Sequence, residues 1–288
     1  MDFDVFLARC WDDHATDPPG VAERLQLHGP ALLSQAAQIV PLANLVHHVF
    51  GQHLGRWQEG IQFQQRLATL PSCPADETTL AALQRFSASL SLASGATDAR
   101  AALGASDHAR ISAMAAASLA EHDTARALSL FQEALTAATG LPDSDPCVRA
   151  LAVAGNNLAG TLAEKTERNA DERQLMILAA QTGRRCWALA GGWLEIERAE
   201  YRLALTWAHA GDPAQARQHA QHCLQLVQAH GDVALERFFG WEAMACAERA
   251  AGDAGAWAQA VLQAETAFAD LDESDRGGCQ ASLDKLRL

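Results

Sequence analysis

Several types of residue are scarce in this chain of 288 residues, and each shortage excludes some classes of function. Only two of its 22 basic residues are lysines, it has one tyrosine, and aromatic residues make up 6%. The formal net charge of -13 opposes a phosphate backbone, so the sequence predicts no nucleic-acid partner. No stretch approaches the ~18 consecutive apolar residues of a membrane-spanning helix, and a membrane partner is not expected either.

The seven cysteines stand far apart and never form a C-x-x-C pair. We therefore expect reduced thiols, several of them in the core, rather than a disulfide framework or a cysteine-rich zinc site. The N-terminal segment is acidic and lacks the basic start and cleavage site of a signal peptide. The sequence thus predicts a cytoplasmic protein, although export without a classical signal would leave no trace.

The motifs of common enzyme classes are absent. Neither lysine follows a glycine, so there is no phosphate loop, and no G-x-G-x-x-G, H-E-x-x-H or G-x-S-x-G occurs. We therefore expect no cofactor, no metal and no enzymatic activity. One alternative stays open, because Asp12-Asp13 with Asp17 resembles the DDxxD element with which all-α terpene synthases hold magnesium diphosphate. A solvated acidic helix end would explain the same residues.

Two groups of residues have the spacing of a metal-binding helix face. The groups are His47, His48 and His53, and His219, His222 and Cys223. We expect ordinary packing or solvent exposure for both, with Cys223 in a buried position. The acidic run of Glu195, Glu197 and Glu200 is expected to form a solvated helix face.

Composition and helix-ending signals predict an all-α fold. Alanine makes up roughly a fifth of the chain and leucine about an eighth, while valine and isoleucine are scarce, which favours helix over strand. Stop signals recur at intervals of 20, 20 and 21 residues, at Gly191-Gly192, Gly211-Asp212, Gly231-Asp232 and Gly252-Asp253. Glycine can adopt the left-handed cap, and aspartate can accept hydrogen bonds from the first amides of the next helix.

Apolar residues recur at helical spacing between such signals, and they predict the helices of the chain. These span residues 2–13, 19–28, 31–54, 56–70, 76–94, 97–104, 106–121, 123–139, 146–165, 171–190, 193–210, 213–230, 233–251 and 254–271. From residue 31 onward the helices follow one another in pairs every 35 to 40 residues. Such a period is typical of a helical solenoid.

One pair carries a distinctive pattern: a Leu-Ala step, an aromatic residue, a Gly-Asp turn, and small residues on the second helix. The residues are Leu203-Ala204, Trp207, Gly211-Asp212, Ala216, Ala220 and Cys223. This pattern resembles the tetratricopeptide repeat, in which small residues let the two helices of a pair approach closely. The resemblance covers about residues 31–271, although residues 76–104 fit it poorly.

The resemblance implies a right-handed superhelical array of antiparallel helix pairs, a tetratricopeptide-like solenoid with about 12–14 helices. The expected organisation is an N-terminal helical cap over residues 1–30, a repeat domain over 31–272 and a C-terminal capping helix over 273–288. An irregular helical bundle is the alternative, because alanine-rich faces pack there for the same reasons.

In this family the first helix of each pair lines a concave groove that holds the partner. The resemblance implies groove positions at Asn156, Asn157, Arg198, Tyr201, Arg202, His209, Glu242 and Arg249. Asparagine can bond a peptide backbone and arginine a carboxylate. The expected function is a non-enzymatic adaptor, chaperone or regulatory sensor that binds a protein or peptide of acidic character. The structural alternative pairs Asn156 within its own layer and the arginines with the acidic run.

Two further hypotheses stay open. A self-associating scaffold would bury Phe238, Phe239 and Trp241 in a homodimer, and an all-α magnesium enzyme would use Asp12 and Asp13. The alanine- and arginine-rich, lysine-poor composition also indicates a GC-rich bacterial genome.

Overall fold

The computed structural model describes residues 2–71, 75–96 and 103–288, and these residues form fourteen α-helices and no strand. The helices are α1 Phe3–Asp13, α2 Pro18–Leu32, α3 Ile39–Val46, α4 Trp57–Ala68, α5 Glu77–Ser94, α6 Ala105–Leu119, α7 Thr124–Ala138, α8 Pro146–Ala163, α9 Ala170–Ala190, α10 Trp193–Ala210, α11 Pro213–Ala229, α12 Ala234–Ala251, α13 Ala254–Ala269 and α14 Glu273–Leu286. The all-α prediction is confirmed. None of these helices has the length and hydropathy needed to cross a membrane.

The predicted helix over residues 31–54 is wrong at its start and in its interior, since α2 continues to Leu32 and residues 33–35 are not helical. A 3-10 turn spans Ala36–Gln38, α3 follows, and a π-helical segment occupies His47–His53. Periodicity of apolar residues does not reveal a π-helical insertion, because one turn with i to i+5 hydrogen bonds shifts the helical pattern by only about one residue. The predicted helix over 97–104 and Cys73 fall mostly or wholly outside the described residues.

Two of the four predicted stop signals combine a glycine in the left-handed conformation with an aspartate that caps the next helix. Gly211 and Gly252 have φ values of 83° and 74°, and Asp212 and Asp253 accept hydrogen bonds from the third amide of the following helix. At the third position Asp232 itself adopts a positive φ of 53° and does not cap α12. The glycines at 191–192 use extended backbone instead.

The chain divides into two compact units, Met1–Leu141 and Pro142–Leu288. The first has a core of large apolar side chains from α1 to α5 and the π-helical segment, including Phe6, Leu25 and Phe50. The second has a separate core in which Phe238 packs among small residues of α10 to α14. The division into cap, repeat domain and capping helix stays a prediction.

Helices of the second unit pack in a repeating manner. Each helix from α8 to α13 contacts the next one, and α10 also contacts the alternate helices α8 and α12. This arrangement is consistent with a solenoid-like array. Five of the six described cysteines are buried, and none of these six forms a disulfide with another described residue, as expected.

Candidate functional site

A cavity of about 200 Å³ opens between α8, α10 and α12 in the second unit. Its lining consists of Asn156 from α8, Glu197, Arg198, Tyr201 and Arg202 from α10, and Glu236 and Phe239 from α12. The four α10 residues lie at positions i, i+1, i+4 and i+5, which form one helix face. The alternate-helix contacts described above are what bring the three helices to a common surface.

Four of the eight residues predicted for the groove meet at this cavity. They are Asn156, Arg198, Tyr201 and Arg202. Arg249 lines a second cavity of about 220 Å³ with Trp257 and Leu288. Asn157 is exposed on α8 outside the cavity lining. The groove as a whole stays a prediction, and the structure assembles half of its residues at one place.

Arg202 brings a positive charge to the cavity without forming a close ion pair, although this charge acts on the nearby Glu242 carboxyl. It forms no salt bridge with any residue in the described part of the chain, and its Nε has no hydrogen-bond partner there. The guanidinium carbon lies 5.9 Å from the centre of the Tyr201 ring, within cation-π range. A β-carbon at Gly160 would lie 3.2 Å from this guanidinium, so the glycine leaves room for the arginine.

Asn156 supplies the second unpartnered group. Its Oδ1 is buried and accepts no hydrogen bond from the described residues. A buried carbonyl oxygen without a donor costs roughly 1 to 3 kcal/mol. The prediction that Asn156 bonds within its own helix layer is therefore not supported for this atom.

A buried carboxyl forms the floor of the cavity. Glu197 is fully buried and its Oε1 accepts a hydrogen bond of 2.6 Å from the Cys223 thiol. Burial and then the nearby Glu236 carboxylate raise the pKa of Glu197 to about 8, while Cys223 and Arg198 oppose the shift. The raised pKa favours the neutral form of the Glu197 carboxyl at pH 7, which reduces its repulsion with the Glu236 carboxylate.

The neighbouring charges are paired. Arg198 donates two hydrogen bonds to the nearly buried Glu236, of 2.6 Å from Nη2 and 3.3 Å from Nε. Tyr201 donates a hydrogen bond of 3.0 Å to Glu242, and burial raises the pKa of both groups. Glu242 was predicted to face the groove, but it is only 9% exposed, and its carboxyl accepts the hydrogen bond from Tyr201.

Positive charges from three elements surround His209, near the C-terminal end of α10. Partial burial and then the charges of Arg168, Arg249 and Arg202 lower the pKa of His209. The charges of three arginines thus act on the His209 side chain, and a histidine carries no negative charge that could offset them. This surface favours an anionic partner even though the chain as a whole is acidic.

The expectation that the α10 acidic run is solvated is wrong for two of its members. Glu197 and Glu200 are 0% and 2% exposed. Glu200 accepts hydrogen bonds from Arg184 and from the Nδ1 atoms of His219 at 2.6 Å and His222 at 2.9 Å. Because these partners come from α9 and α11, the sequence spacing on α10 alone could not reveal them.

The same contacts separate the predicted His219, His222 and Cys223 group. The two histidines turn to Glu200 and the thiol turns to Glu197, so the three side chains do not converge. Ordinary packing, as predicted, describes their position in the fold, and Cys223 is buried.

The homodimer hypothesis and the magnesium-enzyme hypothesis each lose one of the residues on which they depend. Phe238 is fully buried within its own unit, where its ring centre lies 5.9 Å from that of Phe268, so it cannot also fill a dimer interface. Asp13 forms a salt bridge of 2.7 Å with Arg24, which neutralises one of the two carboxylates proposed to hold magnesium.

The sequence prediction missed Glu197, Glu236 and Phe239 as parts of this cavity. A usable signal existed, because Arg198 and Glu236 are 38 residues apart, close to one repeat of the predicted array. Opposite charges at equivalent positions of successive repeats are placed side by side when repeats stack.

Comparison of the chain with known protein families, with curated protein sequences and with solved structures finds no match in any of the three.

Proposed function

We propose that the chain is a non-enzymatic protein-binding module of the tetratricopeptide type, a right-handed array of antiparallel helix pairs that acts in the cytoplasm. It binds a peptide segment of acidic character on the face formed by α8, α10 and α12. The observation that supports this proposal is that one cavity is lined by three residues with a buried polar atom that lacks a hydrogen-bond partner among the described residues: Asn156 Oδ1, Glu197 Oε2 and Arg202 Nε.

Two of these groups, those of Arg202 and Asn156, are complementary to a peptide. The Arg202 guanidinium can donate two parallel hydrogen bonds to an aspartate or glutamate side chain. Asn156 Oδ1 can accept a hydrogen bond from a backbone N–H of the same segment, which every residue except proline supplies. Phe239 offers an apolar ring at the rim of the same cavity.

The cavity size and charge restrict the ligand further. A volume of about 200 Å³ holds one or two side chains rather than a folded surface, so the segment must extend beyond the cavity. The neutral form of Glu197 is favoured at pH 7 and Glu236 is paired with Arg198, so neither carboxyl repels an incoming carboxylate strongly. Arg202 therefore determines the sign of the ligand charge.

Selection of random peptides on the immobilised full-length protein tests the proposal. We expect the recovered sequences to share an aspartate or glutamate, and Arg202→Gln to weaken their binding about 10- to 100-fold, as loss of a charged hydrogen bond predicts. Arg173→Gln removes an equal charge from the exposed surface of α9 and is the matched control. Recovered peptides without an acidic residue, or equal affinity in both variants, would contradict the proposal.

A further inference from the structure

Three histidines converge in the first unit, away from any residue used by the proposed function. His14 follows the end of α1, and His48 and His53 lie on the π-helical segment. One ring nitrogen of each lies within 4.8 Å of those of the other two. The ring centres are 4.9 Å apart for His14 and His48, 5.3 Å for His14 and His53, and 4.7 Å for His48 and His53.

The π-helical segment is what aligns two of the three side chains. In an α-helix residues five apart point in directions about 140° apart, since each residue turns the helix by about 100°. The i to i+5 hydrogen bonds of a π-helix bring such residues one above the other, and the Leu54 amide makes one to the Val49 carbonyl at 3.1 Å. His48 and His53 therefore face the same side only because the segment is π-helical.

Neighbouring helices hold the segment in this form. The Trp57 indole donates a hydrogen bond of 3.2 Å to the Gly51 carbonyl, and the His122 ring donates one of 2.8 Å to the Gln52 carbonyl. A β-carbon at Gly51 would lie 2.7 Å from Leu90 on α5. π-Helical insertions are less favourable than α-helix and occur frequently at functional sites.

Hydrogen bonds also orient the rings. His14 Nδ1 donates to the Trp11 carbonyl, which leaves Nε2 as the ring nitrogen that can bind a metal. The His48 ring forms a hydrogen bond with the Gln52 side chain. The Nε2 atom of His48 lies 3.1 Å from the Nε2 atom of His53. The Trp11 ring packs beside His14 and His48, with ring centres 5.2 Å and 5.3 Å away.

The separation of His48 and His53 matches that of two ligands on one ion. Zinc-nitrogen bonds of about 2.0 to 2.1 Å in tetrahedral geometry place two ligand nitrogens about 3.3 Å apart. The observed 3.1 Å is close to that value. The ligand nitrogen of His14 lies within 4.8 Å of the other two, so it must approach by up to about 1.5 Å to complete the set, which its position at the C-terminal end of α1 permits.

We propose that His14, His48 and His53 bind a divalent transition-metal ion of the zinc class, with a fourth coordination position open to water or another ligand. Three imidazoles without a carboxylate suit zinc, nickel or copper and do not suit magnesium or calcium. Because one ligand comes from the end of α1 and two from the π-helical segment, the bound ion links these two elements. The alternative is a metal-free hydrogen bond between His48 and His53.

Metal titration of the full chain distinguishes a metal site from a metal-free hydrogen bond between His48 and His53. After treatment with a chelator and its removal, the protein is titrated with Co²⁺ and, separately, with Zn²⁺. We expect one Co²⁺ per chain with the visible absorption of a four-coordinate site, displaced by Zn²⁺, and a rise in Tm with Zn²⁺. Absence of a stoichiometric complex at micromolar concentration in the wild-type protein would overturn the proposal.

Variants locate the binding site. His14→Asn and His53→Asn should each weaken Co²⁺ affinity by at least about 100-fold, since even a lost second-shell partner costs 10- to 100-fold. His28→Asn, an exposed residue of α2, is the matched control and should bind as the wild type does. Circular dichroism verifies that each variant is folded. Unchanged affinity in folded His14→Asn or folded His53→Asn would overturn the assignment, and if both variants unfold, the wild-type titration decides alone.

Discussion

Individual carboxyl groups behave in this protein according to their partners rather than their sequence context. Glu195, Glu197 and Glu200 lie within one run, yet Glu195 bonds the Gly192 amide at the start of α10 while the other two are buried. Glu200 is surrounded by donors, which lower its pKa despite the opposing effect of burial. Glu197 has the Cys223 thiol and a second carboxyl beside it, and its pKa is raised instead.

The raised pKa of Glu197 predicts a pH-dependent stability. In the folded state the pKa is about 8 against an ordinary 4.5, so folding retains a proton that the unfolded chain releases between these values. The stabilisation from this group is complete below pH 4.5 and is lost as the pH rises through 8, by an amount on the order of a few kcal/mol. Glu197→Gln cannot ionise, so its Tm should fall less than that of the wild type between pH 5 and 9.

Thermal unfolding monitored by circular dichroism across that pH range measures the effect. Glu167→Gln, at an exposed position between α8 and α9, removes a carboxyl without touching the buried network and should follow the wild-type profile. Parallel profiles for wild type and Glu197→Gln would show that Glu197 is ionised in the folded protein at neutral pH.

At the scale of elements, the contact between α8 and α9 is set by two glycines. A β-carbon at Gly155 would lie 2.5 Å from the Ala179 carbonyl oxygen and 2.8 Å from the Gly183 amide nitrogen. Both are backbone atoms, so relief requires the helices to move apart. The rule that small residues occupy the close contacts of each helix pair thus applies here as well as at Ala216 and Ala220.

The same substitution at two glycines should have opposite effects. Gly155→Ala forces α8 and α9 apart and should lower the free energy of unfolding by about 1 to 3 kcal/mol. Gly277→Ala, in a helical and open position on α14, should raise it by a few tenths to about 1 kcal/mol because alanine favours helix. Urea denaturation provides both values, and a Gly155→Ala variant as stable as the wild type would contradict the close packing.

The π-helical segment is an element that could not be predicted from the local sequence. The apolar pattern of residues 31–54 indicated one helix, and helical turns do occupy most of this range. The insertion depends on Trp57 and His122, which satisfy carbonyls of the segment from outside it. Because His122 is 70 residues from Gln52 in the chain, local periodicity carried no information about it.

At the scale of the whole molecule, each compact unit contains its own apolar core. We therefore expect a fragment spanning residues 142–288 to fold without the first unit, since the buried residues of its core all belong to it. Its circular dichroism spectrum should be helical and its thermal unfolding cooperative. A fragment that lacks a cooperative transition would show that its core is incomplete without residues 1–141.

The sequence by itself determined the helices, because alanine and leucine content, apolar spacing, and glycine and aspartate at helix ends act over a few residues. The resemblance to the repeat family also led to Asn156, Arg198, Tyr201 and Arg202 as groove residues, and these four line one cavity. Tertiary structure decided which charges are buried, which are paired and which are left unpartnered. It alone brought His14 to His48 and His53, because side chains 34 residues apart meet only when separate elements pack.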